Sequence, residues 1–325
     1  MIRPGWWLVG RSSRLRAEPR RYRLFGIDLV LFRSDRGIAA LDDRCAHRSA
    51  PLSLGKIHNG CVECPYHGWR FDAAGVCREI PHAVEGGSKP SRIRSWHVRE
   101  SQGYVFVSHD GTGDPYRFDR SAGSVFRTTF EAPARLEWVA ENQLDVTHTS
   151  VLHAGWFRDR GQRKKVRAVV TRDLDRMQVE YFGENRPSGW VARLLAPWTR
   201  EVAHIDRLLL PAVTQVEYRA GRSRFFATTF LTPVDESRTL CHAEISLRTQ
   251  VPFAIVAPFL AIGAKGILNQ DLRILRAQSE TIANFGKRAF SPSRLDFYDG
   301  FIRENLSGEK LPAPLPSREE IELWI

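Results

Sequence analysis

Two short motifs, Cys45-Ala46-His47 and Cys64-Pro65-Tyr66-His67, with 16 residues between them, constrain this chain more than any other feature. Each supplies one thiol and one imidazole, so a fold that uses them must bring two loop tips together around metal. A pair of thiolates on one iron and a pair of imidazoles on the other is the ligand set of a mixed Cys/His [2Fe–2S] centre. The same four donors also satisfy tetrahedral Zn²⁺. Zinc sites, however, usually pair Cys with Cys and His with His, whereas each half here holds one of each. The flanks, Arg48-Ser49-Ala50-Pro51 and Gly68-Trp69, are rich in turn formers, which suits ligand loops whose backbone N–H groups point at sulfur.

Further along, Asn142, Asp145 and His148 recur every third residue, and His153 follows just over a turn later. On a helix the first three fall along one side. With the Cys/His motifs upstream, the segment Glu141 to His153 resembles, position by position, the Asn/Asp/His/His motif of the Rieske non-haem iron oxygenases. The resemblance implies that Cys45, His47, Cys64 and His67 hold a Rieske [2Fe–2S] cluster. It implies a second metal, a mononuclear Fe(II) held by His148, His153 and a carboxylate. Asp271, in Asn269-Gln270-Asp271-Leu272-Arg273, matches that carboxylate and reads as the opening of a helical stretch; Glu280 is the competing acid. It further implies that Asp145, with Asn142 in the same motif, steadies a ligating His and touches a Rieske His of a neighbouring subunit. That requires a ring of copies, most simply a head-to-tail homotrimer.

By the same resemblance, NAD(P)H electrons arrive from a separate protein, a ferredoxin and/or a flavin reductase, and O2 is the co-substrate; no dinucleotide fingerprint occurs in the chain. The chain is similar to the short oxygenases of the vanillate and dicamba O-demethylase and aminopyrrolnitrin oxygenase group. This implies monooxygenation, by hydroxylation or oxidative demethylation, of an apolar aromatic or polycyclic molecule. Trp156, Phe157, Trp190, Trp198, Phe225, Phe226 and Phe230 are candidates to line its pocket. The alternatives are a cis-dihydroxylating aromatic-ring dioxygenase, a Rieske electron carrier without a catalytic iron, and a zinc-binding interaction protein.

The 325 residues, 42% of them hydrophobic, leave room for two domains. Short apolar runs broken at Phe25-Gly26-Ile27-Asp28 and Ser34-Asp35-Arg36-Gly37, and a turn at Asp72-Ala73-Ala74-Gly75, read as antiparallel strands. The expected organisation is α+β: an all-β Rieske domain over 1–115, then over 116–325 a catalytic domain with an antiparallel sheet flanked by helices, of helix-grip type. Glu137 to Leu152 reads as one iron-binding helix and Pro252 to Arg288 as a long helix carrying Asp271. Strands are expected over 165–171, 177–182, 203–218, 224–231 and 238–247, with a Pro-rich tail from about Arg294 wrapping the surface.

Beyond the two motif thiols, Cys61, Cys77 and Cys241 are an odd remainder, which suits a reducing compartment. The start, Met1-Ile2-Arg3-Pro4-Gly5-Trp6, has no basic-then-apolar leader, and the expected location is cytoplasmic. The apolar run Val251 to Ala264 is too short for a membrane span and reads as a packed helix or pocket wall. The net charge of +11 is concentrated in residues 11–23 (Arg11, Arg14, Arg16, Arg20, Arg21, Arg23) and 158–167. No nucleic-acid motif accompanies it, so the functional expectation is steering of an acidic electron donor, set against a simple solvated surface.

Overall fold

The computed structural model describes residues 3–81, 83, 91–120, 123–156, 158, 164–186, 189, 201–248, 252–286, 290–311, 314 and 316–325. They form an α+β chain that divides into two compact units, Met1–Arg117 with Thr232–Glu236, and Phe118–Leu231 with Ser237–Ile325.

The first unit is built from β1 (Trp7–Arg11), β2 (Arg20–Leu24), β3 (Ile27–Ser34), β4 (Gly37–Asp42), β9 (Ser95–Ser101) and β10 (Tyr104–Ser108) in a sheet ordered β1-β10-β9-β4-β3-β2. A second, four-stranded sheet joins β5 (Lys56–His58), β6 (Cys61–Glu63), β7 (Arg70–Phe71) and β8 (Cys77–Glu79) in chain order. The tight reversals follow from local chemistry. Gly26 and Gly37 take φ of 76° and 112° at two of them, values that cost glycine nothing. At another, the Asp72 carboxylate accepts from the amides of Ala74 and Val76 at 2.9 Å each, an Asx-type turn. Val30, Phe32, Leu41, Leu52, Val62 and Phe71 form a buried core that also contains Cys45 and Cys64. A short piece of much later chain belongs here too: Thr232 Oγ1 donates to the Leu8 carbonyl at 2.6 Å, and the Pro233 and Val234 carbonyls accept from Phe25 and Gly26.

The second unit is an eight-stranded antiparallel sheet ordered β11-β17-β16-β15-β14-β13-β12-β18. Its strands are β11 (Ser124–Ala132), β12 (Lys165–Arg172), β13 (Arg176–Phe182), β14 (Ala203–Leu209), β15 (Val213–Ala220), β16 (Ser223–Pro233), β17 (Thr239–Arg248) and β18 (Arg318–Trp324). The tail expected only to wrap the surface thus supplies an edge strand. Its alternation, Arg318-Glu319-Glu320-Ile321-Glu322-Leu323, is masked by charge, and those charges meet Arg167 and Lys165 of β12 across the ladder.

Helix α1 (Leu136–Leu144) and the long helix α2 (Phe253–Phe285) accompany this sheet. The single helix expected from Glu137 to Leu152 is in fact broken. Asp145, its C-cap, has extended angles (φ −76°, ψ 109°), and the chain restarts as a 3-10 turn over Thr147–Ser150. At the break the Asp145 side chain accepts from the Thr147 amide and hydroxyl at 2.7 and 2.6 Å, an Asx-type turn. Along α2 the buried residues Val256, Leu260, Gly263 and Leu275 recur at helical spacing. Val256 and Leu260 pack against Leu247, with Phe225 beside them. The helix closes at Gly286, whose φ of 68° is a left-handed cap. It is long and apolar enough, by length and composition, to cross a membrane, with mean hydropathy 1.4 over an 18-residue window, because the helix continues well past the apolar run at its start. Asp271 lies in its second half rather than at its beginning.

Candidate metal centres

The two Cys/His loops have the same backbone construction. The Cys45 amide donates to the Ala50 carbonyl (2.9 Å) and the Ser49 amide to the Cys45 carbonyl (2.9 Å); likewise Cys64 donates to Trp69 (2.8 Å) and Gly68 to Cys64 (3.1 Å). In both, the fourth residue after the cysteine is left-handed, Ser49 at φ 59° and Gly68 at φ 71°. The cysteines point inward, 1% and 3% exposed, and neither is in a disulfide. Burial pushes the Cys45 thiol up to about 11, although the backbone N–H groups of His47 and Arg48 are directed at its sulfur and favour the thiolate. His47 and His67 lie at the outer edge with ring centroids 4.6 Å apart, and Trp69 stacks flat on His47 at 4.7 Å. Two thiols and two imidazoles, one of each from either loop, suit a two-iron cluster with a like pair on each iron.

In the second unit His148, His153 and Asp271 do converge, with ligand atoms all within 4.8 Å of one another. His148 Nε2 and His153 Nε2 are 3.1 Å apart, and Asp271 Oδ1 is 3.6 and 3.2 Å from them. Donors bound at roughly 2.1 Å and at right angles on one ion lie about 3 Å apart. The triad therefore fits one face of an octahedral ion, the two-His-one-carboxylate arrangement suited to Fe(II). His153 and Asp271 are hydrogen-bonded from behind, and a carboxylate stands near His148. Gln270 accepts from His153 Nδ1 at 2.9 Å. Asp145 Oδ2 approaches His148 Nδ1 at 3.4 Å. Asn142 Nδ2 donates to Asp271 Oδ1 at 3.3 Å. Such partners fix the tautomer and ring plane of a metal-binding imidazole. Burial works against the charge of Asp145, but His148 and Thr147 more than offset it, and its carboxyl lies below the ordinary range.

One further helical turn positions the imidazoles: the amides of Val151 and Leu152 donate to the His148 carbonyl at 3.0 and 2.8 Å, and His153 follows directly. Asp271 comes from α2 on the stripe that buries Val256, Leu260 and Leu275. One turn before it, Gly266 admits the Trp156 ring so closely that a Cβ there would stand 2.7 Å from it. The loop just after His153 is thereby seated on α2.

A cavity of about 250 Å³ opens on all three ligands and on the inner face of β14, β15 and β16. A wider hollow of about 820 Å³ touches Asp145 and His148 but neither His153 nor Asp271, so the smaller one is where a molecule would meet the triad. Of the expected lining aromatics, Phe225 is at the cavity and Trp156 is beneath α2. Phe226 and Phe230 are instead buried elsewhere; Phe226 necessarily points away from its neighbour on the strand. Phe157, Trp190 and Trp198 lie outside the described residues. Sequence reasoning gave no role to Gln270, Glu184, His204 or Asp206, and it counted Arg158 in an exposed basic cluster whereas it is buried against Glu184; His204 and Asp206 line the cavity. The polar alternation His204-x-Asp206 on an inward strand face was the available signal.

Residues 5–97 match the Rieske [2Fe-2S] domain and residues 132–297 the vanillate O-demethylase oxygenase C-terminal domain. The chain is 32% identical over 174 residues to cholesterol 7-desaturase nvd of Bombyx mori, covering 50% of this chain but 38% of that protein. It is 28% identical over 276 residues to aminopyrrolnitrin oxygenase PrnD of Pseudomonas fluorescens, covering 75% and 74% of the two chains. In fold it is similar to NdmB of Pseudomonas putida CBB5, with TM-score 0.72, 24% identity and coverage of 92% and 88%.

Proposed function

The chain belongs to the Rieske non-haem iron oxygenases, and from that premise we propose that it monooxygenates a mainly apolar aromatic or polycyclic molecule, by hydroxylation or oxidative demethylation, with electrons from a separate NAD(P)H-dependent reductase. The observation that carries the reading is the facial convergence of His148, His153 and Asp271, at 3.1 to 3.6 Å, on one cavity. The activities for which the relatives are named, an aminopyrrolnitrin oxygenase and a methylxanthine N3-demethylase among them, support monooxygenation over ring dihydroxylation.

In this reading Cys45, His47, Cys64 and His67 hold the cluster, and His148, His153 and Asp271 hold Fe(II). The cluster supplies single electrons, and an iron with three protein ligands offers open positions for activating O2. The chain's own residues do the rest. Gln270 takes up the outer ring nitrogen of His153, and the Asp145 carboxylate stands 3.4 Å from that of His148, with both Nε2 atoms turned toward Asp271. Asn142 restrains the ligating oxygen of Asp271. The Leu144, Val146 and Phe225 side of the cavity keeps bulk water from the reacting face. A homotrimer, in which Asp145 of one copy faces a Rieske His of the next, and a cytoplasmic location complete the proposal.

Iron and acid-labile sulfide per chain in anaerobically purified protein, with EPR after dithionite reduction, test it. About three Fe and two sulfides are expected. His148→Ala and Asp271→Ala should each retain the Rieske signal, fall to about two Fe and lose turnover. Two Fe in the wild type would leave an electron carrier, and zinc without sulfide would remove the reading altogether.

A further inference from the structure

The cavity that opens on the metal triad is not uniformly apolar. Three adjacent strands, β13, β14 and β15, place Tyr181, His204 and Tyr218 in one cross-strand row and Val179, Asp206 and Val216 in the next. Ala227 of β16 continues the second row. Asp206 is 3% exposed, with aliphatic neighbours on both sides in its row, and it lines the cavity. One of its oxygens, Oδ1, takes His204 Nε2 at 3.0 Å. Among the described residues no other group bonds to this carboxylate.

His204 cannot serve a ligand itself. Its second nitrogen is held by Glu184 Oε2 at 2.8 Å, and its ring is stacked between Tyr181 and Tyr218 at 4.5 and 4.1 Å. Glu184 is in turn paired with the buried Arg158. Burial alone would lower the His204 pKa, but Asp206 and Glu184 outweigh it and push it up to about 9, so the imidazolium persists at neutral pH. Two cations and two anions then cancel within one buried group. A cationic or anionic ligand would leave an uncompensated charge in the cavity; a neutral donor would leave none.

Resting on the oxygenase reading for the identity of the site, we propose that Asp206 is its specificity-determining residue: its second oxygen accepts a hydrogen bond from a neutral N–H or O–H group of the substrate. The substrate class is therefore a mainly apolar molecule with a hydrogen-bond donor at one edge. Carboxylate-bearing aromatics are excluded. A buried acceptor that a ligand leaves unpaired selects strongly against that ligand.

Equilibrium dialysis of the metal-loaded protein tests this with 2-naphthol, 2-methylnaphthalene and 2-naphthoate, which share a ring system and differ at one substituent. The expected result is at least tenfold tighter binding of 2-naphthol than of 2-methylnaphthalene, against the order that burial of apolar area alone would give, with 2-naphthoate weakest. In Asp206→Asn the tenfold preference should shrink toward unity. Equal or inverted affinities in the wild type, stronger binding of 2-naphthoate, or no 2-naphthol binding at 1 mM would overturn the proposal without reference to any variant. Dialysis needs neither electrons nor O2. A donor preference in a protein with no mononuclear iron would sink the oxygenase reading and leave this one standing, and an active oxygenase with no preference would do the reverse.

Discussion

Single atoms decide how the two metal-binding regions differ. In the first, two buried thiols and two outward imidazoles face one another across matched turns, so the sulfurs are shielded while the histidine edge meets solvent. In the second, three donors are packed near 3 Å and each is held by an uncharged or acidic neighbour. The same accounting applies to His204, whose folded pKa of about 9 stands above the ordinary value of 6.5. A group raised on folding contributes stability that is complete below about pH 6.5 and is lost as pH climbs through about 9. The charges that face it are Glu184, Asp206 and, through Glu184, Arg158; the rings are Tyr181 and Tyr218. Thermal melts from pH 6 to 9.5 should therefore show the gap between wild type and His204→Gln narrowing with rising pH, by on the order of a few kcal/mol across the window. A gap that is constant with pH would mean that folding leaves the imidazole pKa unshifted.

At the scale of elements, α2 joins packing to chemistry. Asp271 sits where the inward stripe of the helix would otherwise place an apolar residue, and Trp156 seats the His153 loop against Gly266 one turn earlier. Gly266→Ala adds helix propensity of roughly 1 kcal/mol, yet its Cβ would meet the Trp156 ring at 2.7 Å. The clash should win: the melting temperature is expected to fall, and mononuclear iron content to drop while the Rieske EPR signal is unchanged. Unaltered iron in Gly266→Ala would show that the loop is held by other contacts. Much of this region was legible in the sequence, since the spacing of Asn142, Asp145, His148 and His153 and the periodicity of α2 depend on local pattern alone. The helix break was not. Periodicity continues through Asp145, where the backbone turns extended and the carboxylate bonds to Thr147. Gln270 was hidden because a glutamine next to an aspartate on a helix is ordinary until its His partner arrives from 117 residues away. The edge strand β18 was hidden because its glutamates look like a solvated tail until Lys165 and Arg167 lie opposite them.

Across the whole molecule the net charge of +11 is less evenly available than its sequence clusters suggest. Of the cluster at 158–167, Arg158 is buried against Glu184, and Lys165 and Arg167 are paired with Glu322 and Glu320. The cluster at 11–23 is different. Arg14, Arg16 and Arg20 are exposed, and Arg20 lies on β2, the edge of its sheet. Neighbouring Arg21 reaches Asp43, two residues before Cys45, at 4.0 Å. The exposed positive charge of the first unit thus borders a cluster loop. Such a field accelerates encounter with an acidic partner and is screened by salt, with a Debye length near 10 Å at 0.1 M and about 3 Å at 1 M. Stopped-flow reduction of the cluster by a small acidic [2Fe–2S] ferredoxin should slow on the order of tenfold between 50 and 500 mM NaCl. The triple variant Arg14→Glu, Arg16→Glu, Arg20→Glu should start near the high-salt rate and barely respond to salt, with the same visible spectrum and the same reduction by dithionite. A wild-type rate indifferent to salt would make these arginines a solvated surface with no part in electron delivery.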